Sequence, residues 1–295
     1  MKSFLKAFFI TLLVLALLIG GVIFFLVKPA FNDMHDGEDA DEIAEVLDKR
    51  EGDGYNVLML GVDGGGKRTD TIMLLNVSGK EIHITSIPRD TRVKIGKNYQ
   101  KINAALPIGG VPMLIEAVRE VTGAPIHYYA KVDFDGFVKI IDELGGVDFD
   151  VPQDMQYSDP AQGLEIDLKK GYQHLNGEQA IQLCRFRKYP TADIGRTQVQ
   201  QEFIKAVIDQ KLNLGNLFKL PGIIKTVGEN VETNFRMGDL FSLIGIQDVQ
   251  IHQVPGEGKY IGKVSYFVQE KEETYTMFEE YFMGMGEPAE KVYTA

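Results

Sequence analysis

A chain of 295 residues, 25% charged and 44% hydrophobic, is long enough for one large folded unit or two small ones. Its formal net charge of -11 argues against general nucleic-acid binding and makes any local cluster of arginines stand out against the acidic remainder. The single cysteine, Cys184, excludes an internal disulfide framework and a cysteine-based zinc site.

Residues 7–27 form an uncharged, mostly apolar run, long enough to cross a bilayer as one helix. Lys2 and Lys6 precede it; Lys28 alone follows, and then an acidic stretch from Asp33 to Asp41. The positive-inside rule then makes residues 1–6 a cytoplasmic tail of a single-pass protein of the cell membrane, with the bulk of the chain outside. A cleaved signal peptide is the competing reading, but the run exceeds a usual signal core and no small-x-small pattern closes it. Residues 28–53 read as a polar, acidic linker with a short helix around Ile43, Val46 and Leu47. The folded domain is expected over 54–285, with 286–295 as a tail.

Asn56–Gly61, Thr71–Val77 and Glu81–Ile87 are short apolar runs that read as strands, the last two joined by a tight turn at Ser78-Gly79-Lys80. Pro112–Val121 has helical spacing and stops at Gly123. His127–Val132 reads as a strand, Phe134–Leu144 as an amphipathic helix, and Val147–Val151 as another strand after Gly145-Gly146. Asn176 is placed to cap a helix running through Cys184. A long helix is expected from Gly195 to Leu212, and two shorter ones near Leu217–Val227 and Met237–Ile244. Val249–Val254 reads as the final strand and Glu272–Met283 as a closing helix. The interleaving of strands and helices predicts an α/β layered domain.

The chemistry lies in dispersed arginines and aspartates. Gly61 to Lys67 is glycine-rich but is not a Walker A loop, because no Gly-Lys-Ser/Thr opens into a helix. Asp63 and Asp70 flank this loop and are positioned to hold one hard divalent cation through oxygens; turn-forming aspartates are the plainer alternative. Arg89 and Arg92 follow a strand end, with Tyr99, Lys101 and Asn103 soon after. Arg185-Phe186-Arg187, if extended, puts two guanidiniums on one face, which suits a multi-oxygen anion; if helical, the two diverge. Asp193 precedes a long helix and reads equally as its N-cap. Arg196 sits in the first turn, where a cation opposes the helix dipole unless an anion binds there, and Gln200 lies one turn on. The five histidines show no metal-ligand spacing, and no serine nucleophile elbow is present.

Taken together, Asn56–Asp63, Arg68–Leu75, Ser86–Arg92, Lys101-Ile102-Asn103-Ala104, Val132-Asp133-Phe134, Leu144–Val151, His174–Ala180, Arg185–Arg187 and Asp193–Arg196 with Gln200-Gln201 occur in an order that resembles the LytR-CpsA-Psr family of extracytoplasmic cell-wall enzymes. The resemblance implies an α/β/α sandwich with a mixed central sheet behind one N-terminal transmembrane helix. It implies transfer of a glycopolymer, such as wall teichoic acid or capsular polysaccharide, from a polyprenyl-pyrophosphate carrier to peptidoglycan through a phosphodiester. By motif position it implies metal contact by Asp63 and Asp70, with Mg²⁺ as the ion and Mn²⁺ as the alternative. It assigns the pyrophosphate to Arg89, Lys101, Arg185, Arg187, Arg196 and Gln200, with Arg92 less secure. Arg89, Arg187 and Asp193 are the expected catalytic residues, Asp193 as base or as a residue that orients an arginine. The partners are then a lipid-linked glycan donor, a peptidoglycan acceptor and the membrane, with no nucleic acid. A hydrolase of the lipid-linked pyrophosphate and a non-catalytic binder of it remain the alternatives.

Overall fold

The computed structural model describes residues 40–50, 52, 54–63, 65, 66, 68–160, 163–190, 193–211, 220–235, 243 and 246–283. The expected membrane span, the first part of the linker, the helix near Met237–Ile244 and the tail lie outside the described residues, apart from Leu243. Among the described residues no helix is long and apolar enough to cross a membrane.

In chain order the elements are α1 (Ala40–Val46), β1 (Tyr55–Val62), β2 (Thr69–Ser78), β3 (Glu81–Ser86), β4 (Arg92–Ile95), β5 (Asn98–Lys101), α2 (Ala105–Thr122), β6 (Tyr128–Asp133) and α3 (Phe134–Glu143). There follow β7 (Val147–Val151), β8 (Met155–Asp159), β9 (Leu164–Leu168), β10 (Gly171–Leu175), α4 (Gly177–Arg185), α5 (Asp193–Lys211) and α6 (Leu220–Asn230). The chain closes with β11 (Val231–Thr233), β12 (Asp248–Gln253), β13 (Gly256–Ile261), β14 (Val264–Gln269) and α7 (Lys271–Tyr281).

The central sheet has the order β11-β6-β1-β2-β3-β12. It is mixed: β1 pairs with β6, and β3 with β12, in parallel, while the remaining pairs are antiparallel. Period-two alternation sends Leu58, Leu60, Ile72 and Leu74 to one face, where α1, α2 and α7 bury them beside Ile115, Val118, Phe278 and Phe282. Tyr55, Val57, Met73 and Leu75 face the other way, against Ile208 of α5 and Phe235. Helices on both faces explain why these strands read as continuous apolar runs rather than alternating ones. A third cluster, with Phe149, Ile166, Leu183, Phe186 and Phe203, joins β7 and β9 to α4 and α5 beside the sheet.

One buried polar knot ties the closing helix to the sheet. Asn56 is fully buried; its amide donates to Pro125 O at 2.7 Å and Phe282 O at 2.5 Å, and its Oδ1 accepts from Asn76 at 2.8 Å. A buried amide satisfied on every side specifies one register where apolar packing would tolerate several. Several boundaries differ from the sequence reading. The helix expected from Pro112 begins earlier, at Ala105, across a kink at Gly109 and Gly110, which suits Gly110 at φ 67°. The β4–β5 and β13–β14 hairpins were not expected, and β12 is followed by two more strands. Phe278 and Phe282, at the closing helix and just past it, are fully buried in the core.

Candidate active site

The β1–β2 pairing runs regularly from Tyr55↔Val77 to Gly61↔Thr71, then slips so that Val62 pairs with Thr69. Asp70 is therefore the extra residue of a β-bulge, and a bulge re-aims the side chain it releases. The Thr69 hydroxyl lies within bonding distance of Gly61 O (3.3 Å) and Thr71 O (3.0 Å), which fixes the bulge.

The released Asp70 carboxylate meets arginines from three segments. Arg89 Nη1 donates to Oδ1, Arg187 Nη2 donates to Oδ2 at 3.1 Å, and Arg196 Nη2 reaches the Asp70 backbone oxygen at 3.4 Å. Arg89 stands on a turn closed by the Thr91 amide and hydroxyl, both bonded to Pro88 O, and by Asn103 N–H donating to Arg89 O. Arg185 ends α4; the next residue, Phe186, turns extended and is buried, so Arg187 is thrown clear of the helix. The two arginines thus follow neither a pure strand nor a pure helix. The Arg185 guanidinium lies 4.6 Å over the Phe134 ring, a cation–π seat. Arg196, in the first turn of α5, is only 3% exposed. Gln200 one turn later donates to Cys184 O at 2.8 Å and accepts from the Thr71 hydroxyl at 3.4 Å, which braces α5 against α4 and β2.

Burial alone would raise the Asp70 carboxyl, but Arg187, Arg89 and Arg196 outweigh it and hold Asp70 below the ordinary carboxylate range. Burial, then the like charge of Arg187, lowers the Arg185 guanidinium. Both effects describe a pocket with more positive charge than one carboxylate neutralises. Burial pushes the Cys184 thiol up to about 12, so it is no thiolate nucleophile.

Asp70, Arg185, Arg187 and Arg196 line a cleft of about 730 Å³, the open space at its mouth included, while Arg89 reaches Asp70 from outside that lining. Asp70, Thr71, Asp133, Arg185, Arg187, Arg196 and Gln200 supply the polar lining of the cleft, and Met59, Met73, Val132, Phe134, Phe137, Ile181 and Ile204 most of its apolar lining. The residues of this apolar wall were not singled out in the sequence. Their signal was weak: Met59 and Met73 alternate onto the α5-facing side of β1 and β2, where they look like ordinary core residues.

The other expected site residues are placed as follows. Asp63 sits just past β1, its N–H donating to Arg68 O at 3.0 Å and its Oδ1 accepting from Arg68 N–H at 3.3 Å, so it closes the loop that Asp70 leaves. Among the described residues no group of three or more metal-type side chains occurs. Of the two expected metal ligands, Asp70 lines the cleft and Asp63 does not. Lys101 pairs with Asp90 at 3.0 Å and lies outside the cleft lining. Arg92 also lies outside it, stacked 3.6 Å over the Tyr99 ring. Asp193 is the first residue of α5, and its side chain lies outside the description.

A family model described as the LytR_cpsA_psr family matches residues 22–282. A polyisoprenyl-teichoic acid–peptidoglycan teichoic acid transferase, TagV of Bacillus subtilis (strain 168), is 34% identical over 227 residues, 70% of this chain and 58% of that protein. The chain thus spans less than two thirds of that relative. The crystal structure of B. subtilis TagV superposes with a TM-score of 0.69 at 31% identity, covering 79% of this chain and 99% of that one. A structure of TagT bound to LIIa-WTA gives a TM-score of 0.67 at 28% identity, covering 80% and 93%.

Proposed function

The chain belongs to the LytR-CpsA-Psr family, and from that premise we propose that it is a membrane-anchored, extracytoplasmic phosphotransferase. It moves a glycopolymer of the wall teichoic acid or capsular type from a polyprenyl-pyrophosphate carrier to peptidoglycan. The observation that carries this reading is the cleft, walled largely by apolar side chains and lined also by Arg185, Arg187 and Arg196. A lipid pyrophosphate has the matching division: an apolar chain and a compact multi-oxygen anion. Arg89, Arg187 and Arg196 hold the pyrophosphate with their planar forks, with Arg185 and Gln200 beside them.

In the reaction an acceptor hydroxyl oxygen bonds to the glycan-bearing phosphorus. The bridging P–O bond of the pyrophosphate breaks, and polyprenyl phosphate leaves. The hydroxyl proton passes to a base, for which Asp193 at the head of α5 is the candidate. Transfer of this kind needs positioning and charge neutralisation more than covalent help. Asp63 and Asp70 would hold Mg²⁺, which when bound supplies further positive charge to the phosphate oxygens. Asp70 has a second role in the chain alone. It occupies two arginines that would otherwise crowd as like charges, and an incoming pyrophosphate replaces it as their partner.

The test is incubation of the protein with a short polyprenyl-pyrophosphoryl oligosaccharide, peptidoglycan fragments and Mg²⁺, with mass spectrometry of the products. A phosphodiester-linked conjugate that is lost with EDTA supports the proposal. Free phospho-oligosaccharide without conjugate would make the protein a hydrolase.

A further inference from the structure

A transferase holds two ligands, and the cleft accounts for one. The β4–β5 hairpin begins at Arg92, three residues beyond Arg89. Its register sets Arg92 opposite Lys101 and Lys94 opposite Tyr99. Cross-strand partners share a face, and so do residues two apart on one strand, so Arg92, Lys94, Tyr99 and Lys101 lie together on one side of the hairpin. Val93 and Ile95 point the other way and are buried. The outward face is thus three cations and an aromatic ring on a protein of net charge -11. Tyr99 is 52% exposed, and the Arg92 guanidinium stacks 3.6 Å over its ring, a contact that favours this position of the ring. None of the four lines the cleft. Lys101 joins the face to the arginine turn through its ion pair with Asp90.

We infer that this face of the β4–β5 hairpin is the docking surface for the acceptor, a peptidoglycan glycan strand bearing carboxylates. The inference rests on the transferase reading for its acceptor and on the hairpin's own charge and aromatic pattern for its surface. Lys94 and Arg92 meet the carboxylates, and the Tyr99 ring offers a flat apolar face to a sugar ring. The hairpin then presents the strand to the turn that carries Arg89, outside the lipid cleft.

The test uses the full chain in detergent with peptidoglycan sacculi stripped of attached polymers. Lys94→Ala/Tyr99→Ala should raise the dissociation constant for sacculi about tenfold, the loss expected on truncating an aromatic anchor and its charged neighbour. The acceptor KM should rise in step, with kcat and donor KM unchanged. Tyr99→Phe should bind like the parent, and Lys94→Glu, which leaves the ring in place, should weaken binding on its own. Sacculi binding unchanged in the double variant overturns the inference. So does a rise in donor KM with acceptor KM unmoved, which would give the face to the donor's own polymer, or a loss confined to anionic lipid vesicles. If the parent makes no conjugate but its sacculi binding falls with the double variant, the docking surface stands and the transferase reading fails.

Discussion

Asp70→Asn isolates the internal carboxylate that the arginine cluster holds in the absence of substrate. The substitution keeps the side-chain shape and one acceptor oxygen but removes the charge that Arg89 and Arg187 share. Breaking a fully buried ion pair costs about 3–5 kcal/mol. Here Asp70 is 23% exposed and Arg187 48%, so solvent screening reduces the loss to about 2 kcal/mol. For a folded unit of this size that is a fall in Tm of roughly 4–8 °C. In Mg²⁺-free buffer, inorganic pyrophosphate at about 100 times the parent's Kd adds about 2.7 kcal/mol to the parent, and at the same concentration it should add more to the variant, which binds it more tightly because no internal carboxylate competes. The assay is thermal unfolding of parent and variant with and without pyrophosphate. The expected result is a destabilised variant that gains more from the anion than the parent does. A variant as stable as the parent without anion, or one that gains nothing from it, refutes the account of Asp70 as counter-charge.

His83 and His252 approach with 2.9 Å between ring nitrogens and stack on Tyr281. Burial lowers both, more than Glu81 and Asp248 on one side and Glu280 on the other restore. A histidine lowered on folding gives stability that is complete above its unfolded pKa of about 6.5 and is lost as pH falls below it, so unfolding midpoints should decline from there downward and His83→Gln/His252→Gln should flatten that decline. Asp70 adds its own loss at lower pH, since a lowered carboxyl stabilises above its unfolded pKa near 4 and ceases to do so as pH falls through its folded value. Asn56→Ala orphans the buried Asn76 amide and two carbonyls, and should cost about 2–4 kcal/mol in denaturant unfolding. Ile204→Trp fills the apolar wall and should raise the KM for a long-chain donor about tenfold while leaving stabilisation by inorganic pyrophosphate unchanged.

The apolar runs of β1, β2, β3 and β6 were legible because both sheet faces are covered, so each strand is continuous in hydrophobicity. The Asn176 cap was legible because a capping box is a local device, and Asn176 and Gln179 do bond reciprocally. The arginine set was visible as residue types, and the resemblance brought it to one pyrophosphate, but the geometry of that convergence was not legible. It depends on the bulge at Asp70, which a one-residue slip in register creates and no residue type announces. The helix expected to run through Cys184 ends one residue later, at Arg185, and the extended Phe186 then separates the two arginines, an arrangement that neither the extended nor the helical alternative described. The β4–β5 hairpin escaped because its strands are only four residues each, too short for the Val93–Ile95 alternation to stand out, and β13 because it is wholly exposed and carries no apolar alternation. Lys101, assigned to the pyrophosphate by motif position, stands opposite Arg92 and pairs with Asp90, a placement that only the hairpin register shows.

The central claim is that the arginine-lined cleft binds a lipid pyrophosphate and passes its phosphoglycan to peptidoglycan. The most direct measurement is single-turnover transfer from a defined polyprenyl-pyrophosphoryl oligosaccharide to peptidoglycan fragments, comparing the parent with Arg187→Ala, a half-exposed residue whose loss leaves the core intact. The account predicts a phosphodiester conjugate from the parent and a rate at least about 10²-fold lower for the variant, the cost of one electrostatic donor to a developing charge. Conjugate formed by Arg187→Ala at the parent's rate would contradict it.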